Sequence, residues 1–233
     1  MFASTALIAD PIRVVPIGEM LDIYATSRPA DAFTGDFYFV RRNENGLWFG
    51  LGDVTGHGLD SAIYMAMIQE QIEAAIDDSI CCLPDVIHSL HEVMGGEMPA
   101  NRFASAVFGH ITTDGALQLI NAGHCSPMVL RRDGSVEAFG PHGPVFGLLP
   151  RATWTSSYTR LEPGEKLLLH TDGISEAESR DGEEFGSDRV EELFRHHSAS
   201  AAREIVHSVL DELDRFRGAS LQADDVSIMV LGR

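Results

Sequence analysis

The sequence has few basic residues and no long apolar run. Its 233 residues hold 17 Lys and Arg against 35 Asp and Glu, a formal net charge of −18, and so acidic a balance argues against a nucleic-acid partner. No stretch approaches the roughly 18 consecutive apolar residues that a membrane-spanning helix needs. The N-terminal segment MFASTALIAD also lacks the basic start of a secretory signal. We therefore expect a cytoplasmic protein with no membrane contact.

Cysteine is scarce as well. Cys81, Cys82 and Cys125 are odd in number and two of them are adjacent, which is not the pattern of a secreted disulfide framework. We interpret all three as buried or unreactive thiols, and a redox switch at Cys81-Cys82 is the alternative. The sequence also lacks a cluster of His and Cys at zinc-ligand spacing, which argues against a zinc site.

Linkers, internal repeats and low-complexity segments are missing too, because the 10 prolines and 22 glycines are scattered among periodic segments. We predict a short N-terminal extension over residues 1–20 and one domain over residues 21–233. Runs of aromatic and β-branched residues predict strands, and apolar stripes with good helix formers predict helices. The predicted strands cover residues 21–27, 36–42, 47–54, 103–112, 116–121, 127–132, 135–139, 166–170 and 226–231, and the predicted helices 59–78, 84–94, 188–196 and 200–217. This order indicates an α+β domain whose helices cover sheet faces.

Four aspartates share one local context. Each lies where an apolar strand meets a turn: Asp36, Asp53, Asp172 and Asp224. Asp172-Gly173 has the alternative of an ordinary hairpin turn, but the residues that follow it look helical. The pair Asp224-Asp225 has the alternative of a solvated loop.

If these carboxylates lie close together, their mutual repulsion determines what else the site must contain. Two unpaired carboxylates about 5 Å apart repel by roughly 3 kcal/mol at an effective dielectric constant near 20. A cluster of several therefore needs a cation, and all-oxygen ligation selects a hard ion such as Mg²⁺ or Mn²⁺. Four carboxylates suit two ions, which can activate a water and hold a phosphoryl group. The chemistry that this predicts is phosphoester hydrolysis.

The glycine-rich segment Gly52–Gly58 does not fit a phosphate-binding loop, since no Lys-Ser/Thr follows its last glycine. We expect Gly56 and Gly58 to form a tight turn that lets Asp53 and the Val54 carbonyl face an ion. His57, between these glycines, either donates a proton or a hydrogen bond to phosphate, or has a plain structural role.

Five motifs occur in an order that resembles the SpoIIE-type branch of the PPM metal-dependent protein phosphatases, over about residues 20–232. They are Gly35–Tyr38, Gly52–Gly58, Asn121–His124, Thr171–Gly173 with Glu176-Ala177, and Asp224–Ser227. The resemblance implies a four-layer α/β/β/α sandwich with two central antiparallel sheets. It also implies a protein serine/threonine phosphatase with two Mn²⁺ or Mg²⁺ ions.

The resemblance implies a role for each aspartate. Asp53 corresponds to the ligand that bridges both ions. Asp36 and the Val54 backbone carbonyl correspond to ligands of the first ion, and Asp172 and Asp224 to ligands of the second. Asp224 is preferred to Asp225 because the family places this ligand two residues before the hydrophobic position that starts the last strand. The Asn121–His124 motif is expected to be architectural.

Two departures from the family pattern affect the interpretation. Thr34 stands where the family commonly has glycine, so the backbone loses freedom beside Asp36. Residues 1–20 are too short for the linker helix that many family members have, which predicts a single-domain protein controlled by a partner protein, by a homodimer contact or by its expression level.

The resemblance implies a phosphorylated protein as substrate, namely an anti-sigma-factor antagonist in a bacterial partner-switching pathway. Two alternatives remain open at this point. One is a non-catalytic partner-binding module with a weakened metal site, and the other is a two-metal enzyme acting on nucleotides or small phosphoesters.

Overall fold

The structure is a computed structural model that describes residues 12–14, 21–56, 58–77, 82–97 and 102–233. Within these residues the chain forms eleven strands and five helices. The strands are β1 (Ile12–Val14), β2 (Asp22–Arg28), β3 (Asp36–Asn43), β4 (Gly46–Val54), β5 (Ala104–Ile111), β6 (Ala116–Ala122), β7 (Met128–Leu130), β8 (Val136–Ala138), β9 (Ser157–Arg160), β10 (Lys166–His170) and β11 (Val226–Gly232). The helices are α1 (Leu59–Asp77), α2 (Leu83–Glu97), α3 (Asp172–Ser175), α4 (Ser187–His196) and α5 (Ala202–Arg217).

The strands form two antiparallel sheets. The first sheet has the order β1-β2-β11-β10-β7-β8 and the second has the order β3-β4-β5-β6-β9. Every pairing between these named strands is antiparallel. The first sheet combines strands from both ends of the chain, because β2 pairs with β11 along its full length.

Three apolar cores separate four layers. Helices α1 and α2 pack on the outer face of the second sheet, the two sheets face each other, and α4 and α5 cover the outer face of the first sheet. Buried members of these cores are Ile72, Ile87 and Phe108 in the first, Phe49, Leu119 and Leu169 in the second, and Phe194, Val209 and Val230 in the third. The predicted α+β fold with an α/β/β/α sandwich is confirmed.

The central strands are apolar on both faces because each sheet lies between two layers. In β4, Leu47, Phe49 and Leu51 face the first sheet, while Trp48 and Val54 face the helices. Strands buried on both faces give nearly continuous apolar runs instead of a clean alternation. This is why the runs in β4, β10 and β11 were visible in the sequence.

Most predicted helices and strands match those of the structure within a few residues, and the differences lie at the ends of elements and in the shortest elements. Helix α2 continues through Gly95-Gly96 to Glu97, so the prediction that these glycines end the helix is wrong by about a turn. Strands β7 and β8 are shorter than predicted, β1 and β9 were not predicted, and the helical stretch expected after Asp172-Gly173 is the short helix α3. Strand β1 lies inside the predicted extension and pairs with β2. No helix in the described ranges has the length and apolar character needed to cross a bilayer.

Candidate metal centre

The core between the two sheets becomes polar at one end. In β4 the row Leu47, Phe49, Leu51 continues to Asp53 on the same face, since side chains alternate along a strand. Asp53 pairs with Asp36 on one side and with Ser105 on the other. The facing rows of the first sheet end in the same way, at the polar residues Ser27, Thr171 and Ser227.

Asp36 is the most enclosed of the four aspartates predicted as ligands. The residue is only 4% exposed, and the Thr171 hydroxyl of the first sheet donates a hydrogen bond to its Oδ2 at 3.0 Å. The same hydroxyl accepts a bond from the Ser227 backbone N at 2.9 Å. Burial raises the pKa of Asp36 well above its ordinary value, and the charge of Asp53 raises it further.

Asp53 and Val54 approach the start of β3 closely because residue 35 is a glycine. A Cβ atom at Gly35 would lie 2.7 Å from the Val54 carbonyl oxygen and 3.0 Å from Asp53 Oδ1. The Gly35 carbonyl also accepts a bond from Val54 N at 3.2 Å. Burial first, and then the charges of Asp172 and other carboxylates, raise the pKa of Asp53 to about 7.

Asp172 and Asp224 come from neighbouring strand ends. Asp172 follows β10 and is the first residue of α3, so the alternative of an ordinary hairpin turn is wrong and the expected helical stretch is present. Asp224 lies two residues before β11, the antiparallel neighbour of β10, which puts both residues at one end of the sheet. Burial raises the pKa of Asp224, and the charge of Asp172 adds to the effect.

Asp225 is engaged differently from Asp224. Its Oδ1 accepts a bond from Ala30 N at 2.7 Å, and its Oδ2 accepts bonds from the Thr34 hydroxyl at 2.7 Å and Gly35 N at 2.9 Å. Asp224 is exposed, and its Oδ1 accepts a bond from Asp225 N at 2.8 Å. This arrangement favours Asp224 over Asp225 as the residue with oxygens open to an ion.

The aspartates at this end of the sandwich suit a cation if no basic side chain already neutralises them. Across the ranges that the structure covers, no ion pair joins Asp36, Asp53, Asp172 or Asp224 to a basic side chain. The same ranges contain no group of three or more His, Cys, Asp or Glu side chains at metal-ligand spacing. Asp172 and Asp224 nevertheless lie close enough to Asp53 for their charges to raise its pKa. An all-oxygen, uncompensated donor set of this kind fits Mg²⁺ or Mn²⁺.

A buried polar layer supports this end of the sandwich. The Asn121 side chain accepts a bond from His124 N at 2.8 Å and donates to the carbonyls of His124 at 3.1 Å and Phe139 at 3.3 Å. These contacts suit the architectural role expected for the motif. His124 Nδ1 lies 2.6 Å from the Ser105 hydroxyl. Burial first, and then His170, lower the pKa of His124 to about 3, so this ring brings no positive charge.

Several sequence predictions concern residues around these carboxylates. Gly56 and Gly58 have φ of +100° and +82°, as the expected turn requires, while His57 lies outside the described residues. Cys81 also lies outside them. Burial first, and then Asp172, raise the pKa of the Cys125 thiol to about 12, which agrees with an unreactive thiol.

The hydroxyls of Thr34 and Thr171 make contacts at the candidate site that the sequence does not indicate. Each bonds to a carboxylate more than a hundred residues away in the chain. Thr171 stood inside a recognised motif, but nothing in the local sequence indicated its partner. Thr34 was noticed only as a departure from glycine.

Comparison with known proteins decides the family. The family model of Stage II sporulation protein E (SpoIIE) matches residues 43–233. The chain belongs to the SpoIIE family. The family recognised from five motifs is therefore confirmed: the chain has a SpoIIE-type PPM phosphatase domain, and the match includes Asp53, Asp172 and Asp224 and begins seven residues after Asp36.

Two relatives of this SpoIIE-family chain are bacterial proteins. Phosphoserine phosphatase RsbU of Bacillus subtilis is 26% identical over 221 residues, which cover 94% of this chain and 65% of RsbU. Protein IcfG of Synechocystis sp. is 27% identical over 247 residues, which cover 94% of this chain and 39% of IcfG. The chain thus spans less than two thirds of the length of each relative.

Solved structures share the fold. The SiaA-PP2C domain of Pseudomonas aeruginosa superposes with a TM-score of 0.81 at 23% identity, covering 91% of this chain and 85% of that one. The catalytic domain of the serine/threonine protein phosphatase PstP in complex with two manganese ions gives a TM-score of 0.65 at 13% identity, covering 91% and 99%. The SpoIIE-family chain therefore has the PP2C fold.

Proposed function

We propose that this chain is a metal-dependent protein serine/threonine phosphatase. The observation that carries the proposal is a group of carboxylates with no basic partner among the described residues, running from buried Asp36 to exposed Asp224 at one end of a PP2C-type sandwich. Membership of the SpoIIE family supports it, as does the name of the relative RsbU, a phosphoserine phosphatase.

We propose that Asp53 bridges two ions, that Asp36 and the Val54 carbonyl bind the first, and that Asp172 and Asp224 bind the second. Support comes from the mutual electrostatic influence of Asp53, Asp172 and Asp224 and from the closeness of the Val54 carbonyl to Gly35. The PP2C-fold neighbour PstP is described with two manganese ions. When bound, such a pair supplies an activated water and compensates the charge of a phosphoryl group.

The protein's own residues prepare this chemistry by fixing the ligands. Asp36 is held by the Thr171 hydroxyl, and Asp53 is held in the ladder between β3 and β5. Asp36 is buried, Asp53 and Asp172 are half-buried, and Asp224 is exposed. We infer that a phosphorylated side chain approaches from the Asp224 side, while the apolar core behind Asp53 keeps water away from the opposite side.

The proposed substrate is a phosphorylated anti-sigma-factor antagonist in a bacterial partner-switching pathway. The name and similarity of RsbU support the phosphoserine part of this proposal. Control by a partner protein or by a homodimer contact belongs to the same proposal. The net charge of −18 means that an acidic substrate protein must be recognised through the ions and through specific surface contacts.

A substrate panel tests the activity. Metal-stripped protein is supplied with Mn²⁺ and assayed on phosphoserine peptides and phosphothreonine peptides, and on nucleoside phosphates in parallel. We expect Mn²⁺-dependent release of phosphate from the peptides and loss of that activity in Asp53→Asn. Faster hydrolysis of nucleotides would favour the small-phosphoester enzyme. Metal binding without hydrolysis of any of these substrates would favour the partner-binding module.

A further inference from the structure

A carboxylate from the first sheet holds the loop that leads into β3. Asp225, immediately before β11, accepts hydrogen bonds from Ala30 N, Gly35 N and the Thr34 hydroxyl at 2.7 to 2.9 Å. The Thr34 oxygen in turn accepts a bond from Asp36 N at 3.0 Å. The Thr34 side chain thus joins Asp225 to the backbone of Asp36. We call these two residues and their bonds the Thr34–Asp225 clamp.

The clamp acts on a residue that is fixed at a second point from the same sheet. The Thr171 hydroxyl bonds to the Asp36 carboxylate, while the Thr34 hydroxyl bonds to the Asp36 backbone. Thr34 and Asp36 are only 6% and 4% exposed, so the two bonds are shielded from water. Together they set the position and the direction of the Asp36 side chain.

The clamp also satisfies the Asp225 carboxylate. Asp225 has three donors for its two oxygens, and hydrogen bonds to a charged group are about twice as strong as neutral ones. Its carboxylate is therefore satisfied by the loop and has no need of an ion.

We propose that the Thr34–Asp225 clamp positions Asp36 for the first metal ion, which makes Asp225 and Thr34 positioning residues and not ligands. This inference rests on the proposed function, because it assigns these residues to the same metal centre. Thr34 then has the opposite effect from the one expected from the sequence. The family's glycine would give the loop more freedom, but a glycine has no hydroxyl to join Asp225 to Asp36.

The test compares three single substitutions at the two residues of the clamp. Thr34→Val removes the hydroxyl and keeps the shape, Thr34→Ser keeps the hydroxyl, and Asp225→Asn keeps the size but puts an amide where two donors point. Asp31→Asn is the matched control, because Asp31 is in the same loop and its carboxylate accepts a bond from the neighbouring Ala32 N.

Each variant of the 233-residue chain is stripped of metal and titrated with Mn²⁺. Binding is followed by the signal of free Mn²⁺ in electron paramagnetic resonance and by the melting temperature.

We expect Thr34→Val and Asp225→Asn to weaken binding of one of two ions by about 10-fold to 100-fold, the usual effect of removing a residue that orients a metal ligand. Thr34→Ser and Asp31→Asn should bind Mn²⁺ like the wild type. The double variant Thr34→Val/Asp225→Asn should lose little more affinity than Asp225→Asn alone, since both changes break the same connection. At saturating Mn²⁺, Thr34→Val should recover most of its phosphatase rate.

Other results overturn the inference in distinguishable ways. If Thr34→Val lowers the melting temperature of the metal-free protein but binds Mn²⁺ with wild-type affinity, the clamp is only structural. If Asp225→Asn loses one ion entirely while Thr34→Val binds both normally, Asp225 is a ligand. Wild-type protein that binds no Mn²⁺ would overturn the proposed function and this inference together, whereas the first two results leave the proposed function intact.

Discussion

Replacing Asp53 with asparagine should stabilise the metal-free protein while abolishing its response to metal. Asp53 is surrounded by acidic groups, and burial together with Asp172, Asp224 and Asp225 raises its pKa to about 7 from an ordinary 3.8. An acid whose pKa is raised by folding destabilises the folded state wherever it is ionised. Stability therefore falls as pH rises from about 4 to about 7, and the full cost is present above pH 7.

The size of this effect follows from the pKa. At about 1.4 kcal/mol for each pKa unit, ionised Asp53 costs the metal-free fold about 4 kcal/mol. Asparagine removes the charge and keeps the shape, although its amide nitrogen cannot accept the hydrogen bonds that a carboxylate oxygen accepts. We expect Asp53→Asn to raise the free energy of unfolding by about 2 to 4 kcal/mol at pH 8. For a domain of this size the melting temperature should rise by about 4 to 16 °C.

The assay is urea unfolding of wild type and variant at pH 8, first with a chelator and then with Mn²⁺. Mn²⁺ should stabilise the wild type and leave Asp53→Asn unchanged, because binding to the folded state alone adds stability. Asp114→Asn is the control, since the Thr112 hydroxyl and Arg160 lower the pKa of this exposed carboxyl to about 2. The same substitution there should not stabilise the protein. An Asp53→Asn protein that is less stable than the wild type without metal, or that Mn²⁺ stabilises equally, would refute the reasoning.

Three further predictions concern residues outside the proposed ligands. Asn121→Ala should lower the free energy of unfolding by about 2 to 4 kcal/mol in urea, because it leaves buried backbone groups of His124 and Phe139 without partners. Glu165→Gln should destabilise the protein at neutral pH and progressively less below pH 4.5. Burial alone would raise the pKa of Glu165, but backbone donors and Arg131 lower it, so its stabilisation is lost as pH falls; melting temperatures at pH 7 and pH 4 check this. Cys125 should resist iodoacetamide at pH 7.5 in the folded protein and react after unfolding, as measured by peptide mass spectrometry.

The layers of the fold can be predicted from the sequence because each main strand or helix carries its own pattern of apolar residues. Strands such as β4 and β10 are apolar on both faces, and α5 has a continuous apolar stripe. Strand β9 gave no such signal, since Ser157–Arg160 is a short edge strand with partly exposed side chains. Helix α3 is a single turn of four residues, too short for a periodic pattern.

In the candidate site, too, some features can be predicted from the sequence and others cannot. The position of Asp53 at the end of an apolar row is visible in the sequence, and the pairing of strand ends brings Asp36 beside it. The bonds that orient these residues are not visible, because Thr34 and Asp225 are 191 residues apart and only the fold brings them together. A single hydroxyl in a loop carries no local sign of a distant partner. From the sequence, Thr34 is therefore only a departure from the family's glycine. In the structure its hydroxyl donates a hydrogen bond to Asp225.

The most direct test of the proposed metal centre is a Mn²⁺ titration of metal-stripped protein, with hydrolysis of a phosphoserine peptide and the melting temperature measured in the same samples. We expect both to rise together, with two ions bound per chain at saturation, and neither to rise in Asp53→Asn. If the wild-type melting temperature and hydrolysis both stay unchanged up to millimolar Mn²⁺, the carboxylates do not form a metal centre and the proposed phosphatase function is wrong.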